Sequence, residues 1–231
     1  VLVSGKNSQR SRRWNLSWSW RQTVRLSIIA FGLLLVGFGG SKFWDRWHTT
    51  HAGANTIALV VTRSTTHPSE APISSATVYK VAADIPRQIT LPTINTQGFI
   101  QQVTTNKDNT IVVPSNINLA GWYTASVKPG DPGVSIIDGH IGGYYKLGIF
   151  KNLSKLVTGD PFSIEFGNGT TKSFKVLSVH NYSVSDASAH LFDHAPGVTN
   201  QLTLITCGGK YSASTQSYNQ RTLVVATYFT S

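Results

Sequence analysis

Three residues of this sequence are of types that can do covalent chemistry together, and each adjoins a short apolar run. Cys207 is the single cysteine among 231 residues, placed after LTLIT and before Gly208-Gly209. Its thiolate is a strong nucleophile. The glycines behind it would let a substrate carbonyl come close and would leave the Gly208 amide as an oxyanion donor, on the reading that the strand leaves the sheet at the cysteine. His140 follows VSIIDG, 67 residues upstream, beside Gly139, Gly142 and Gly143. An imidazole at such a strand end can exchange protons near neutral pH. Arg221 opens RTLVVATYF, 14 residues after the cysteine, and its planar, permanently charged fork suits an oxyanion or peptide carbonyls. Each has a plainer reading alone: a small buried hydrophobe, a surface histidine, a solvated arginine on an edge strand. Their shared position at strand boundaries joins them into a nucleophile, an acid–base and an anion stabiliser.

The elements that must position these residues begin at Asp84, where the texture becomes short apolar or alternating runs broken by Gly, Pro, Asn and Asp. Strands are predicted at Gln88–Leu91, Gly98–Thr104, Ile111–Val113, Val134–Asp138, Phe162–Phe166, Ser173–Tyr182, Gln201–Thr206 and Thr222–Phe229. Regular short strands with turn signals between them predict an all-β domain, a closed or nearly closed barrel over residues 84–231. Helical pattern is sparse, with short turns expected at Ile149–Leu156 and Asn118–Tyr123.

The formal net charge of +10 resembles a nucleic-acid signature until it is divided along the chain. Six basic residues and no acid fall within the first 25 residues, which leaves +4 for the rest. The uncharged run Leu26–Ser41 follows, flanked by Arg25 and Lys42 and by three tryptophans on one side and Phe43, Trp44 and Trp47 on the other. That pattern predicts a transmembrane signal-anchor helix over 26–44, with residues 1–25 a basic cytoplasmic tail and the C-terminal part outside the cytoplasm. A signal peptide cleaved near Ala52-Gly53-Ala54 is the rival reading and sends the domain to the same side. Residues 45–83, rich in Ser, Thr, Ala, His and Pro, read as a flexible extracytoplasmic linker.

The residues also match a family. TLITCGG, IIDGH and the spacings of His140, Cys207 and Arg221 resemble a sortase, the membrane-anchored cysteine transpeptidase of bacterial cell surfaces; GWYTASVKPGDPG and CGG resemble class E and class F, single-domain sortases. The resemblance implies an eight-stranded sortase barrel and an enzyme that cleaves an LPXTG-like sorting signal between Thr and Gly. Cys207 would form the thioacyl intermediate, His140 would serve as acid and base, and Arg221 would hold substrate and oxyanion with the Gly208 amide. Thr206 would line the substrate groove. The implied partners are sorting-signal proteins, an amine acceptor such as a peptidoglycan precursor or a pilin lysine, and the membrane, with no nucleic acid.

No cofactor and no metal is expected. The acids that class A sortases use for calcium are thin here, with Asp186 and Asp193 the nearest pair, and His190 and His194 lack a third ligand for zinc. The loop 185–200 is expected to set substrate choice. Two rivals remain: another surface cysteine peptidase, and a tethered non-catalytic β-domain for adhesion or wall binding. An accessible Cys207 of depressed pKa favours catalysis; a thiol labelled only after denaturation favours the binding module.

Overall fold

A computed structural model describes residues 68–73 and 79–230. The expected cytoplasmic tail, membrane helix and first part of the linker lie outside the described residues. Eight strands close into a barrel: β1 (Pro86–Leu91), β2 (Thr96–Val103), β3 (Ala120–Tyr123), β4 (Gly133–Gly139), β5 (Pro161–Phe166), β6 (Thr171–Ser183), β7 (Asn200–Ser212) and β8 (Ser217–Phe229). One helix, α1 (Val184–His190), joins β6 to β7. The order around the barrel is β1-β2-β3-β4-β7-β8-β6-β5. Pairing is antiparallel except for β2 with β3 and β4 with β7.

The eight strands include one exchange relative to the sequence reading. Ile111–Val113 forms no strand and contributes only an isolated bridge between Thr105 and Ile111. The eighth strand is β3, within the stretch Asn118–Tyr123 expected to be a helical turn. All four residues of β3 are buried, so it lacks the alternation that marks a strand with one wet face. The other expected turn exists as a 3-10 turn at Leu153–Lys155.

Alternation along the strands sorts side chains between two apolar clusters. The main core gathers Leu91, Ile100, Trp122, Ile137, Phe174, Leu204 and Val224. On the opposite face of β4, β7 and β8, Ile136, Ile205 and Leu223 pack with Ala187 and Leu191. Those last two belong to α1 and its C-cap, and the Ser183 hydroxyl caps the helix by accepting from Asp186 N at 3.2 Å. Burying a residue such as Leu191 contributes about 1.5–3 kcal/mol, which fixes the helix over this face.

Part of the expected linker is packed rather than free. Ser69 N donates to Ser115 O and Ile117 N donates to Ser69 O, both at 2.9 Å, as a parallel bridge to Asn116. Tyr79 donates its hydroxyl to Ile100 O at 2.7 Å and stacks on Phe99 with ring centroids 4.8 Å apart. The two described stretches of 45–83 therefore belong to the folded body around the barrel.

The end of β4 is set by close packing. A Cβ on Gly139 would lie 2.5 Å from the ring of Phe150, which is fully buried in the main core. Phe150 N also donates to the carbonyl of His140 at 3.0 Å. Gly139→Ala should therefore overpack this corner and cost about 1–3 kcal/mol of stability. Urea unfolding checks it: the midpoint falls with an unchanged slope, and an unaltered midpoint contradicts the packing account.

Candidate active site

The parallel register of β4 and β7 aligns Asp138 with Ile205. Two residues further along each segment come Cys207, within β7, and His140, the first residue after β4. Across β7 the antiparallel register sets Cys207 opposite Arg221 of β8. The three residues singled out in the sequence thus form one row across three adjacent chain segments. They line one pocket, together with Asp138 and an aliphatic wall that includes Ile136 and Ile205.

Two of these positions differ from the sequence expectation. β7 continues five residues past Cys207 to Ser212, so the thiol sits within a strand and not where the chain leaves the sheet. The permissive backbone comes later, at Gly209 with φ +73°, in the irregular stretch between Gly208 and Tyr211. Arg221 lies inside β8, between β7 and β6, and not at an edge. It is 1% exposed.

The protonation of the pair follows from its surroundings. His140 Nε2 lies 2.8 Å from Pro114 O. A carbonyl can only accept, so Nε2 carries the proton of the neutral ring and Nδ1 keeps its lone pair. Burial pushes the imidazole below its ordinary pKa, with the Pro114 hydrogen bond opposing this. Burial pushes the Cys207 thiol above its ordinary value; the Arg221 guanidinium pulls it back and Asp138 raises it further. At neutral pH the resting pair is a thiol and a neutral imidazole. The depressed thiol expected of a reactive cysteine is not what the free protein holds.

Arg221 carries the electrostatics. Its Nη1 donates to Tyr218 O at 3.0 Å and to Gln220 O at 2.7 Å. Nε and Nη2 are buried without a hydrogen-bond partner, and among the described residues no carboxylate pairs with the guanidinium. One edge of the planar group is fixed and the other holds two parallel donors in reserve, the geometry that receives a carbonyl oxygen or an oxyanion.

Thr206 and Gly208 also make framework contacts. Thr206 lines the same pocket; it is buried, and its Oγ1 donates to Gly139 O at 2.7 Å, which also clamps β7 to the end of β4 beside His140. Gly208 stands within the ladder opposite Gln220, where a Cβ would lie 2.9 Å from Thr222 Oγ1. Close approach of β8 accounts for that glycine. In the β6–β7 connection His190 is held by Asp193 at 2.6 Å and stacks on Tyr182 at 4.5 Å, while His194 is exposed. Among the described residues no group of three or more His, Cys, Asp or Glu is arranged to hold a metal.

Two participants have no assigned role in the sequence reading. The carbonyl of Pro114 left no signal, because any residue type supplies one. Asp138 did leave one, as a lone acid closing the apolar run VSIID. It is 7% exposed, with Oδ1 buried and unpartnered, and burial pushes its carboxyl well above the ordinary range. Between the ordinary carboxylate pKa and that raised value the folded protein holds a proton that the unfolded chain has lost. Stability therefore declines as pH rises through this window. Asp138→Asn removes that slope, so its stability gain over the parent should be larger at pH 7 than at pH 4. Denaturant unfolding at both pH values reads the difference, and parallel profiles would sink the assignment.

Comparison with known proteins bears on the family and the fold. Residues 89–228 match the sequence model of the Sortase domain. Among solved structures, the pilus-related sortase C of Group B Streptococcus is 20% identical at a TM-score of 0.50, over 79% of this chain and 85% of that one. The lid mutant of sortase A from Corynebacterium diphtheriae is 22% identical at 0.50, over 76% and 91%. Sortase C1 from Streptococcus agalactiae is 24% identical at 0.48, over 63% and 67%. No match was found among the curated proteins. The family match spans most of the chain and coincides with the barrel that carries Cys207, His140 and Arg221: this chain belongs to the sortase family of cysteine transpeptidases.

Proposed function

We propose that the protein is a membrane-anchored sortase, nearest in kind to classes E and F, that cuts an LPXTG-like sorting signal between Thr and Gly and transfers the acyl part to an amine. The observation that carries this reading is the row of His140, Cys207 and Arg221 around one pocket, with two buried donors of Arg221 unpartnered. The class assignment draws on the GWY and PGDPG segment and on CGG after the cysteine. The anchor draws on the apolar run that follows the basic N-terminal residues.

In the proposed reaction His140 Nδ1 takes the Cys207 proton as Sγ attacks the Thr carbonyl carbon. The carbonyl oxygen becomes an oxyanion received by Nε and Nη2 of Arg221. Collapse breaks the C–N bond, and the imidazolium gives its proton to the departing Gly amine. The resulting thioester conserves the acyl group for a second amine, which attacks while His140 takes its proton and returns it to the departing sulfur. No external energy source is needed, in keeping with a site outside the cytoplasm. The amine is proposed to belong to a peptidoglycan precursor or a pilin lysine. The resting neutral pair means that proton transfer accompanies attack, so Arg221 must stabilise charge as it develops.

The full chain, incubated with an LPXTG-type peptide and an amine acceptor, should yield the transfer product and a thioacyl adduct of Cys207 by mass spectrometry. Cys207→Ala should yield neither, and absence of both from the parent rejects the function. His140→Ala should lose about 10²- to 10⁴-fold in kcat/KM. Arg221→Lys, which keeps the charge and loses the planar fork, should lose about 10²- to 10³-fold in kcat; full activity there removes the two-donor role. Alkylation of Cys207 by iodoacetamide should still be accelerating as pH rises past 8. Arg221→Gln should move that rise to higher pH, because the guanidinium is what lowers the thiol, and an unmoved profile contradicts the electrostatic coupling.

A further inference from the structure

Residues 68–73 grip both supports of His140. On one side, Ser69 pairs with the backbone of residues 115–117, and the Ala71 carbonyl accepts from Asn116 Nδ2 at 3.0 Å and Asn118 Nδ2 at 3.1 Å. That stretch continues directly from Pro114, whose carbonyl holds the imidazole. On the other side, Glu70 reaches the hairpin that leaves His140.

This hairpin is closed by Gly148 N donating to Ile141 O at 2.9 Å and Gly143 N donating to Lys146 O at 2.8 Å. Its tip buries little: Tyr145 is 93% exposed and Leu147 67%. Apolar packing of those two residues therefore does little to hold it. The Glu70 carboxylate does, accepting Tyr144 N at 2.5 Å and Tyr145 N at 3.1 Å, while Lys146 Nζ donates to the Glu70 carbonyl at 3.4 Å. A carboxylate that takes two successive backbone N–H groups makes a charge-assisted contact of the anion-nest kind. A Cβ on Gly143 would overlap the carboxylate, so a larger residue there would push Glu70 aside.

We propose that Glu70 is a positioning residue for His140, latching the hairpin at 141–148 to the segment that carries Pro114 and so fixing the imidazole between its hydrogen bond and the thiol. The proposal rests on His140 being the acid–base of the reaction above. It also makes residues 68–73 part of the working enzyme, so a domain cut at Asp84 would lack its latch.

The test uses the full chain as parent, Glu70→Ala, Glu70→Gln and Gly143→Ala. Glu70→Ala should lower kcat by about 10- to 100-fold with little change in KM, because a small displacement of a proton-transfer group slows chemistry more than binding. Gly143→Ala should reproduce this from the other side of the latch. Glu70→Gln keeps an acceptor for the two N–H groups and should recover most of the loss. The titration of the His140 imidazole, followed by NMR, should move up toward the ordinary value in Glu70→Ala as water reaches the ring; Cys207, Asp138 and Arg221 in the pocket, and Lys146 on the hairpin, are unaltered. Backbone exchange at Tyr144 and Tyr145 should quicken. A variant that only melts earlier, with kcat and the His140 titration of the parent, overturns the proposal. Should the parent itself fail to process the peptide, the reaction is what fails, and the latch is then decided by the titration and exchange: unchanged values reject it, shifted values support it.

Discussion

A guanidinium held almost wholly out of water, with two of its three nitrogens unpartnered, is the constraint on which the site depends. Leaving buried donors unpaired costs about 1–3 kcal/mol each, and no carboxylate among the described residues offsets the charge of Arg221. The barrel sustains this by placing the residue inside a thirteen-residue strand paired on both sides. Two carbonyls of its own strand, Tyr218 and Gln220, anchor one nitrogen. The arginine is thereby immobile before any ligand arrives, which is the condition under which an electrostatic contact favours a transition state without reorganisation.

The same dry surroundings act on the neighbours of Arg221. They raise the thiol and the acid at 138 and lower the imidazole, so the pocket disfavours every charge except the permanent one. Placement of the imidazole then matters more than its charge. The Pro114 carbonyl, the Thr206 clamp on Gly139, the Phe150 ring under the strand end and the carboxylate of Glu70 together hold it in place.

Much of this architecture was legible in the sequence, and the gaps have physical causes. Turn residues punctuate the strands, so seven of them could be placed, and residue type with spacing singled out three residues that the fold brings to one pocket. β3 was hidden because both its faces are covered. The six residues Gln201–Thr206 are likewise all buried, so alternation could not tell which face Cys207 shares, nor that Thr206, besides lining the pocket, clamps β7 to β4. The extent of β7 beyond the cysteine was masked by Gly208-Gly209, which read as an ending and accommodates close approach and an irregular ladder. Glu70 was missed for a compositional reason: within RSTTHPSEAPISSAT nothing announces that one acid folds back onto a hairpin over seventy residues away in the chain.

The parallel pairing of β4 with β7 has a consequence for the life of the chain before it is native. Strands running the same way need a long crossover, and here β5, β6 and α1 intervene, so this contact closes a large loop and forms slowly compared with the hairpins. Until it forms, the sulfur has the acidity and exposure of any free thiol and is open to peroxide. Afterwards burial raises its pKa and holds it more fully as the thiol, the less oxidisable form. Oxidation should thus be faster on nascent or unfolded molecules than on the finished barrel, where the thiolate fraction is smaller.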